Sequence, residues 1–326
     1  MDYLFSFKKR NKREGLSPSD IFTPYGRYLL DGGVKIVFFC GKRNLIRGVL
    51  KTQTEEHLYM NVHLYLNMAL TNELKKEIKE DLIERIKSKI ERYDFSKKSG
   101  NPFIDIVFGK YSNIKSFIHG TATMLGSYYE ILARKIAQNN ANFVEAKKFV
   151  FTGKISDSES VVIKNLAKDL EEKKIDSDYD EEIKTIYKAE IKNIRELRIT
   201  IDLFLKDKFG KEYYIEMKGP DPNKKEVRAA KEDLLNIVAM KKREIKLDDF
   251  DKNTIIIFGV YYNNENGTYN NWKVSPMFEQ GTGLLVQEEF WDLLGGKGTY
   301  EDLLNVLEEV KKEISPLIEE VMNNKF

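Results

Sequence analysis

The chain is poor in the residues that build closed metal and redox centres. Of its 326 residues, one is cysteine (Cys40) and three are histidine (His57, His63 and His119). A lone cysteine cannot close a disulfide within the chain, and it cannot build a thiolate zinc site. The histidines do not recur at the spacing that puts two imidazoles on one helix face, so each reads as an ordinary polar side chain. Long apolar runs are missing too. No window approaches 18 uncharged apolar residues, which excludes a transmembrane helix. In the opening stretch, "MDYLFSFKKRNKREG", the basic residues follow the short apolar run, the reverse of a secretory signal; a cytoplasmic location is the expectation. The sequon Asn266-Gly267-Thr268 then carries no meaning. Charge of one sign is not in excess either: 54 basic residues face 52 acidic ones. A nucleic-acid partner must therefore be met by local patches rather than by the field of the whole chain.

What is present is the balance of a globular protein, 41% apolar and 33% charged, with no fixed-period repeat. One domain over 1–326 is expected. It comprises a basic arm at 1–15, a mainly helical region over 16–196, and a segment over 197–326 with a hairpin, a buried strand and C-terminal helices. From Thr71 to Arg92, Leu74, Ile78, Leu82, Ile86 and Ile90 fall four apart on one stripe, with Thr71 as the N-cap. Further helices are expected over 113–139, 158–174, 180–196 and 225–243. "TIIIFGVYY", Thr254 to Tyr262, reads as a buried strand. Phe290, Trp291 and Leu294 read as core anchors, and Gly295 and Gly296 as a helix end.

At Ile199 the apolar period switches to two, and "ITIDLFLKDKFGKEYYIEMKGPDPNKK" reads as a hairpin. The loop Lys208-Phe209-Gly210, with Gly210 in the left-handed position, sets a register in which Asp207 faces Lys211 and Asp202 faces Glu216. Ile201, Leu203 and Leu205 then share the core face with Tyr213, Ile215 and Met217, while Asp202, Glu216 and Lys218 share the other. Two carboxylates about 5 Å apart repel unless a cation sits between them, and hard oxygens suit Mg²⁺. Lys218, two residues on, can hold or deprotonate a water beside the metal, or stabilise charge developing on a phosphate. These are the parts of metal-assisted phosphodiester hydrolysis. Beyond Gly219 and two prolines, a helix begins with Lys224, Lys225, Arg228 and Lys231, whose basic face is a candidate phosphate contact. The plain alternatives stay open: a charged outer face on a hairpin, and a solvated helix surface.

Asp202, thirteen residues, then Glu216-Met217-Lys218 on a hairpin followed by a basic helix resembles the PD-(D/E)xK nuclease superfamily. Ile201 stands where the superfamily often has proline. "YYIEMKGPDPNKKE" with "EEFWDLLGGKGTYEDLL" is similar to type II restriction endonucleases of the TdeIII kind. The resemblance implies an α/β fold, a mixed sheet flanked by helices with a helical N-terminal region. It implies a Mg²⁺-dependent endonuclease acting on double-stranded DNA at a short palindrome, GGNCC for the TdeIII kind. Asp202 and Glu216 would hold metal and Lys218 would act on the attacking water. A homodimer and a cognate DNA methyltransferase are the implied partners. Superfamily members often add a metal-side glutamate from a preceding helix; Glu130 is that residue, or else a solvent-facing helix position. Asn223 is implied as a phosphate contact, or it orients its turn. The basic Lys8–Arg13 stretch could wrap phosphates or stand as a plain tail. Two other readings stay in view: a repair or junction-resolving nuclease, and a non-catalytic helical interaction protein.

Overall fold

Thr71 opens the first long helix as its side chain allows: the hydroxyl accepts the Leu74 amide at 3.2 Å, satisfying one of the free donors of the first turn. In this computed structural model, which describes residues 28–30, 33–35, 70–94, 102–265 and 267–325, that helix is α1, Asn72–Arg92. The chain divides into two compact units, residues 1–63 and 64–326. In the first unit the described residues form an antiparallel pair, β1 (Tyr28–Leu30) and β2 (Gly33–Lys35). The basic arm, Cys40, His57, His63 and Asn266 lie outside the described residues.

The second unit is built on a five-stranded sheet in the order β3 (Phe143–Ser156), β4 (Ile194–Asp207), β5 (Glu212–Lys218), β6 (Thr254–Val260), β7 (Leu284–Val286). β4 pairs antiparallel with both β3 and β5, and β5, β6 and β7 are parallel. Mixed pairing of this kind needs a crossover between β5 and β6, which α6 (Lys224–Lys241) supplies. Alternation along the strands sends side chains to two cores. Phe204, Tyr214 and Phe258 pack with α4 (Asp157–Glu171), α5 (Tyr179–Lys188) and α6. Leu203, Leu205, Ile215, Met217 and Ile257 pack with α1, α3 (Ser112–Gln138), α8 (Glu288–Gly295) and α9 (Thr299–Lys325). The short helices α2 (Pro102–Phe108) and α7 (Phe250–Asn253) complete the frame. Phe290, Trp291 and Leu294 are buried in the second core, and α8 stops at Gly295, with Gly296 at φ 93°. Among the described residues no helix is long and apolar enough to cross a membrane.

Three expectations are corrected here. The helix read over 180–196 stops at Lys188 and gives way to β4 at Ile194, while residues 143–156, inside the region read as mainly helical, form a 14-residue strand, β3. And Ile201 does not share a face with Leu203 and Leu205. The β3–β4 register jumps from Lys147↔Phe204 to Phe149↔Ile201, so β4 carries one extra residue at that step. A β-bulge shifts the side-chain phase. Ile201 consequently packs with Ile199 in the core of α4–α6, opposite to Leu203.

Candidate active site

The turn between β4 and β5 has the expected geometry. Gly210 takes φ 90°, its amide donates to the Asp207 carbonyl at 3.0 Å, and the Asp207 carboxylate accepts the Phe209 and Lys211 amides at 2.8 and 2.9 Å. From it the ladder runs Lys206↔Glu212 to Leu203↔Ile215. There the antiparallel ladder stops, while β5 stays paired with β6 through Lys218↔Val260. Asp202, at the bulge, faces this opening: its Oδ2 accepts the Met217 amide at 3.1 Å. The residues after Lys218 leave the sheet through Gly219-Pro220, whose carbonyl accepts the Tyr269 hydroxyl at 2.8 Å.

Asp202, Glu216 and Lys218 meet where the strands part. The Lys218 ammonium lies 2.6 Å from Glu216 Oε1 and 3.6 Å from Asp202 Oδ2. The carboxylates are 14% and 16% exposed, Lys218 27%. Burial first and the Asp202 charge second push the Glu216 carboxyl up to about 7, against the pull of Lys218. Burial alone would lower Lys218, but Glu216 and Asp202 outweigh it and hold the ammonium above its ordinary value. The site therefore carries negative charge that one lysine does not neutralise.

Glu130, on α3, is brought to the rim of this cluster. Its Oε2 accepts from Lys148 Nζ at 3.2 Å, and the same ammonium lies 3.9 Å from Asp202 Oδ1. Among the described residues no three of His, Cys, Asp and Glu are gathered closely enough to hold a metal, so Lys148 stands between Glu130 and the Asp202–Glu216 pair. The pair itself fits a divalent metal: two little-exposed hard-oxygen ligands, with the Glu216 carboxyl pushed up to about 7 by burial first and by the Asp202 charge second, a crowding that a bound cation would relieve.

The basic helix is placed differently from its sequence reading. Asn223 is the N-cap of α6: its Oδ1 accepts the Glu226 amide at 2.9 Å and Glu226 reciprocates on the Asn223 amide at 3.0 Å. Lys224 lies 3.6 Å from Glu171, and Arg228 pairs with Glu171 and Glu232 at 3.1 and 2.9 Å. Lys225 is exposed. Lys231 is not a surface cation. It is 4% exposed, paired with Glu182 and set over the Phe278 ring, because its side chain turns into the α5–α6 core.

Three residues near the site carry no weight in the sequence reading. Lys148 is on β3, and a phase change of alternation in "EAKKFVFTGKI" is the signal that marks it. Tyr261 follows β6; its amide donates to the Lys218 carbonyl at 3.2 Å, and burial, then Glu130, Asp202 and Glu216, raise its hydroxyl pKa. Asp233 on α6 adds its charge to Glu216, and burial holds Asp233 itself above the usual carboxylate range.

The family described as type II restriction endonuclease, HinfI, matches residues 70–311 of this chain. The chain belongs to that family. Two type II restriction enzymes of Herpetosiphon aurantiacus are also similar to it. HgiEI is 25% identical over 113 residues and HgiCII 27% over 115, each match taking 34% of this chain and 40% of the relative. The chain thus spans about two-fifths of the length of the curated relatives it matches. No solved structure matches. In this HinfI-family chain the matched span holds the whole five-stranded sheet with Glu130, Lys148, Asp202, Glu216 and Lys218. Membership agrees with the mixed sheet flanked by helices.

Proposed function

We propose that this chain is a Mg²⁺-dependent type II restriction endonuclease. It hydrolyses phosphodiester bonds of double-stranded DNA at a short palindrome, as a cytoplasmic homodimer with a cognate DNA methyltransferase. The observation that carries the reading is the Asp202–Glu216 pair with Lys218 set against both carboxylates. Asp202 and Glu216 hold the metal, and Glu130 adds negative charge across Lys148. The bound metal supplies Lewis acidity and lowers the pKa of a water. Asp202 is oriented for this by the Met217 amide, which fixes one of its oxygens. Lys218, kept charged by its neighbours, holds the attacking water or meets the charge that builds on the phosphate. Lys225, with Asn223, Lys224 and Arg228 around the start of α6, offers phosphate contacts at the edge of the site, where a helix N-terminus favours anions.

Digestion of a large viral DNA by the purified chain, with Mg²⁺ or with EDTA, tests this. The expected result is discrete bands with Mg²⁺ only, and mapping their ends tests GGNCC as the site. A smear would remove the restriction reading and keep the hairpin chemistry. Intact linear DNA with cut branched DNA would move the chain to the junction-resolving nucleases, and no cutting of any DNA would leave only a binding module.

A further inference from the structure

Past the bulge, the two longest strands run on together from Phe149↔Ile201 to Ser156↔Ile194. The odd-numbered side of this ribbon is covered: Phe149, Phe151, Ile155, Ile199 and Ile201 pack in the core of α4–α6. Among the described residues the even-numbered side is bare. Val150, Thr152 and Lys154 on β3, and Glu196, Arg198 and Thr200 opposite them, are all exposed. Nearer the hairpin turn the sheet is different: Ala146 is buried in the other core, and its carbonyl accepts from Gln138 of α3 at 2.9 Å.

One wet face is ordinary for an antiparallel sheet, so exposure alone decides nothing. Charge and position do. Lys154 and Arg198 make no ion pair among the described residues, although Glu196 is the cross-strand partner of Lys154. Lys224 and Arg228 of α6, by contrast, are tied to carboxylates, and Lys231 is buried. The bare face reaches the rim of the candidate site, since Lys148 at its inner end lies 3.9 Å from Asp202 Oδ1. Arg198 is four residues from Asp202, about 13 Å along the strand. That is the rise of roughly four base-pair steps along a duplex axis, at about 3.4 Å each. Thr152, paired with Arg198, and Thr200, paired with Val150, add hydroxyl donors of the kind that position a phosphate backbone.

Resting on the nuclease reading above, we propose that this face is the track for the DNA backbone leading away from the cleaved phosphate. Lys154 and Arg198 are its phosphate contacts, ahead of the basic end of α6. They are positioning residues and do not touch the reacting atoms.

The test is the binding of a mixed-sequence duplex, longer than the ribbon, by fluorescence anisotropy across a salt series, with Ca²⁺ in place of Mg²⁺. Lys154→Ala/Arg198→Ala is compared with Lys224→Ala/Lys225→Ala and with the unaltered chain. The ribbon variant should bind at least about tenfold more weakly, with the slope of log affinity against log salt lower by about 1.8. Its cutting rate at saturating protein and its melting temperature should hold. The α6 variant should lose less. An unchanged affinity and slope for the ribbon variant, or a loss confined to the α6 variant, overturns the proposal. So does a melting temperature that falls with the affinity, unless Lys154→Gln/Arg198→Gln restores the fold and still shows the lower slope. If the unaltered chain binds duplex and cuts it while the ribbon variant behaves alike, only the ribbon is wrong; if it neither binds nor cuts, the nuclease reading falls first.

Discussion

Lys218 is surrounded by more negative charge than it balances, and that sets what it can do. Held above its ordinary pKa by Glu216 and Asp202 against the effect of burial, it is an ammonium at neutral pH. A charged lysine meets a developing phosphate charge; it does not take a proton until its neighbours are neutralised. Lys218→Ala should therefore cut at least about 10²–10³-fold more slowly, while duplex affinity in Ca²⁺ stays within a few-fold; single-turnover assays and anisotropy read the two apart. Glu216 gives a pH dependence. Its folded value of about 7 lies above the ordinary 4.5, so the folded metal-free chain keeps a proton that the unfolded chain releases. Stability is then fully present below about 4.5 and falls as pH rises through 7, by about 3 kcal/mol at most. In EDTA the melting temperature should drop across that window, Glu216→Gln should flatten the drop, and Mg²⁺ should raise melting more at pH 8 than at pH 5. A metal-free melting curve that is flat with pH would show that Asp202 and Glu216 are not crowded as described.

At the scale of elements, α6 is fastened from inside. Lys231 and Glu182 form a buried pair, one Glu182 oxygen has no hydrogen-bond partner, and burial drives both groups toward their neutral forms. Removing one member of such a pair strands the other. Lys231→Ala should cost about 3–5 kcal/mol in denaturant unfolding, and Glu182→Gln/Lys231→Met should recover most of it. The salt slope of DNA binding should not move, which separates this role from a phosphate contact. Lys231 also shows where sequence reading stops. Its position on a helix was legible, but the tilt of α6 against α5 was not, and that tilt decides which lysine is inside. Hairpin turn, register and the core at Leu203 follow from period two and Gly210, whereas the other core at Phe204 and Tyr214 does not. β3 escaped because Val150 between Phe149 and Phe151, and Gly153 before Ile155, blur the period-two stripe of Phe149, Phe151 and Ile155. With β3 unseen, the bulge that turns Ile201 over, and the Lys148 that lies beside Asp202 there, could not be seen either, since a bulge exists only between two paired strands.

For the whole molecule, the arithmetic of strands decides the last prediction. One chain holds one Asp202–Glu216–Lys218 cluster, and on the proposed reading one such cluster would cut one strand at a time. A palindrome presents the same sequence on both strands, so two chains related by a two-fold axis meet identical half-sites and cut both. Mixing unaltered chains with an excess of Lys218→Ala chains, then allowing exchange, should place most of the active clusters in assemblies whose other cluster is inactive. On a supercoiled plasmid these should leave nicked circles, where the unaltered protein gives linear DNA with little nicked intermediate. Independent monomers predict otherwise: the inactive chains would merely dilute the active ones, and the ratio of linear to nicked product would fall only as active protein does. Sedimentation of the same mixtures gives the assembly state directly. A monomer that nevertheless linearises plasmid without a nicked intermediate would overturn the dimer and require one site to visit both strands in a single encounter.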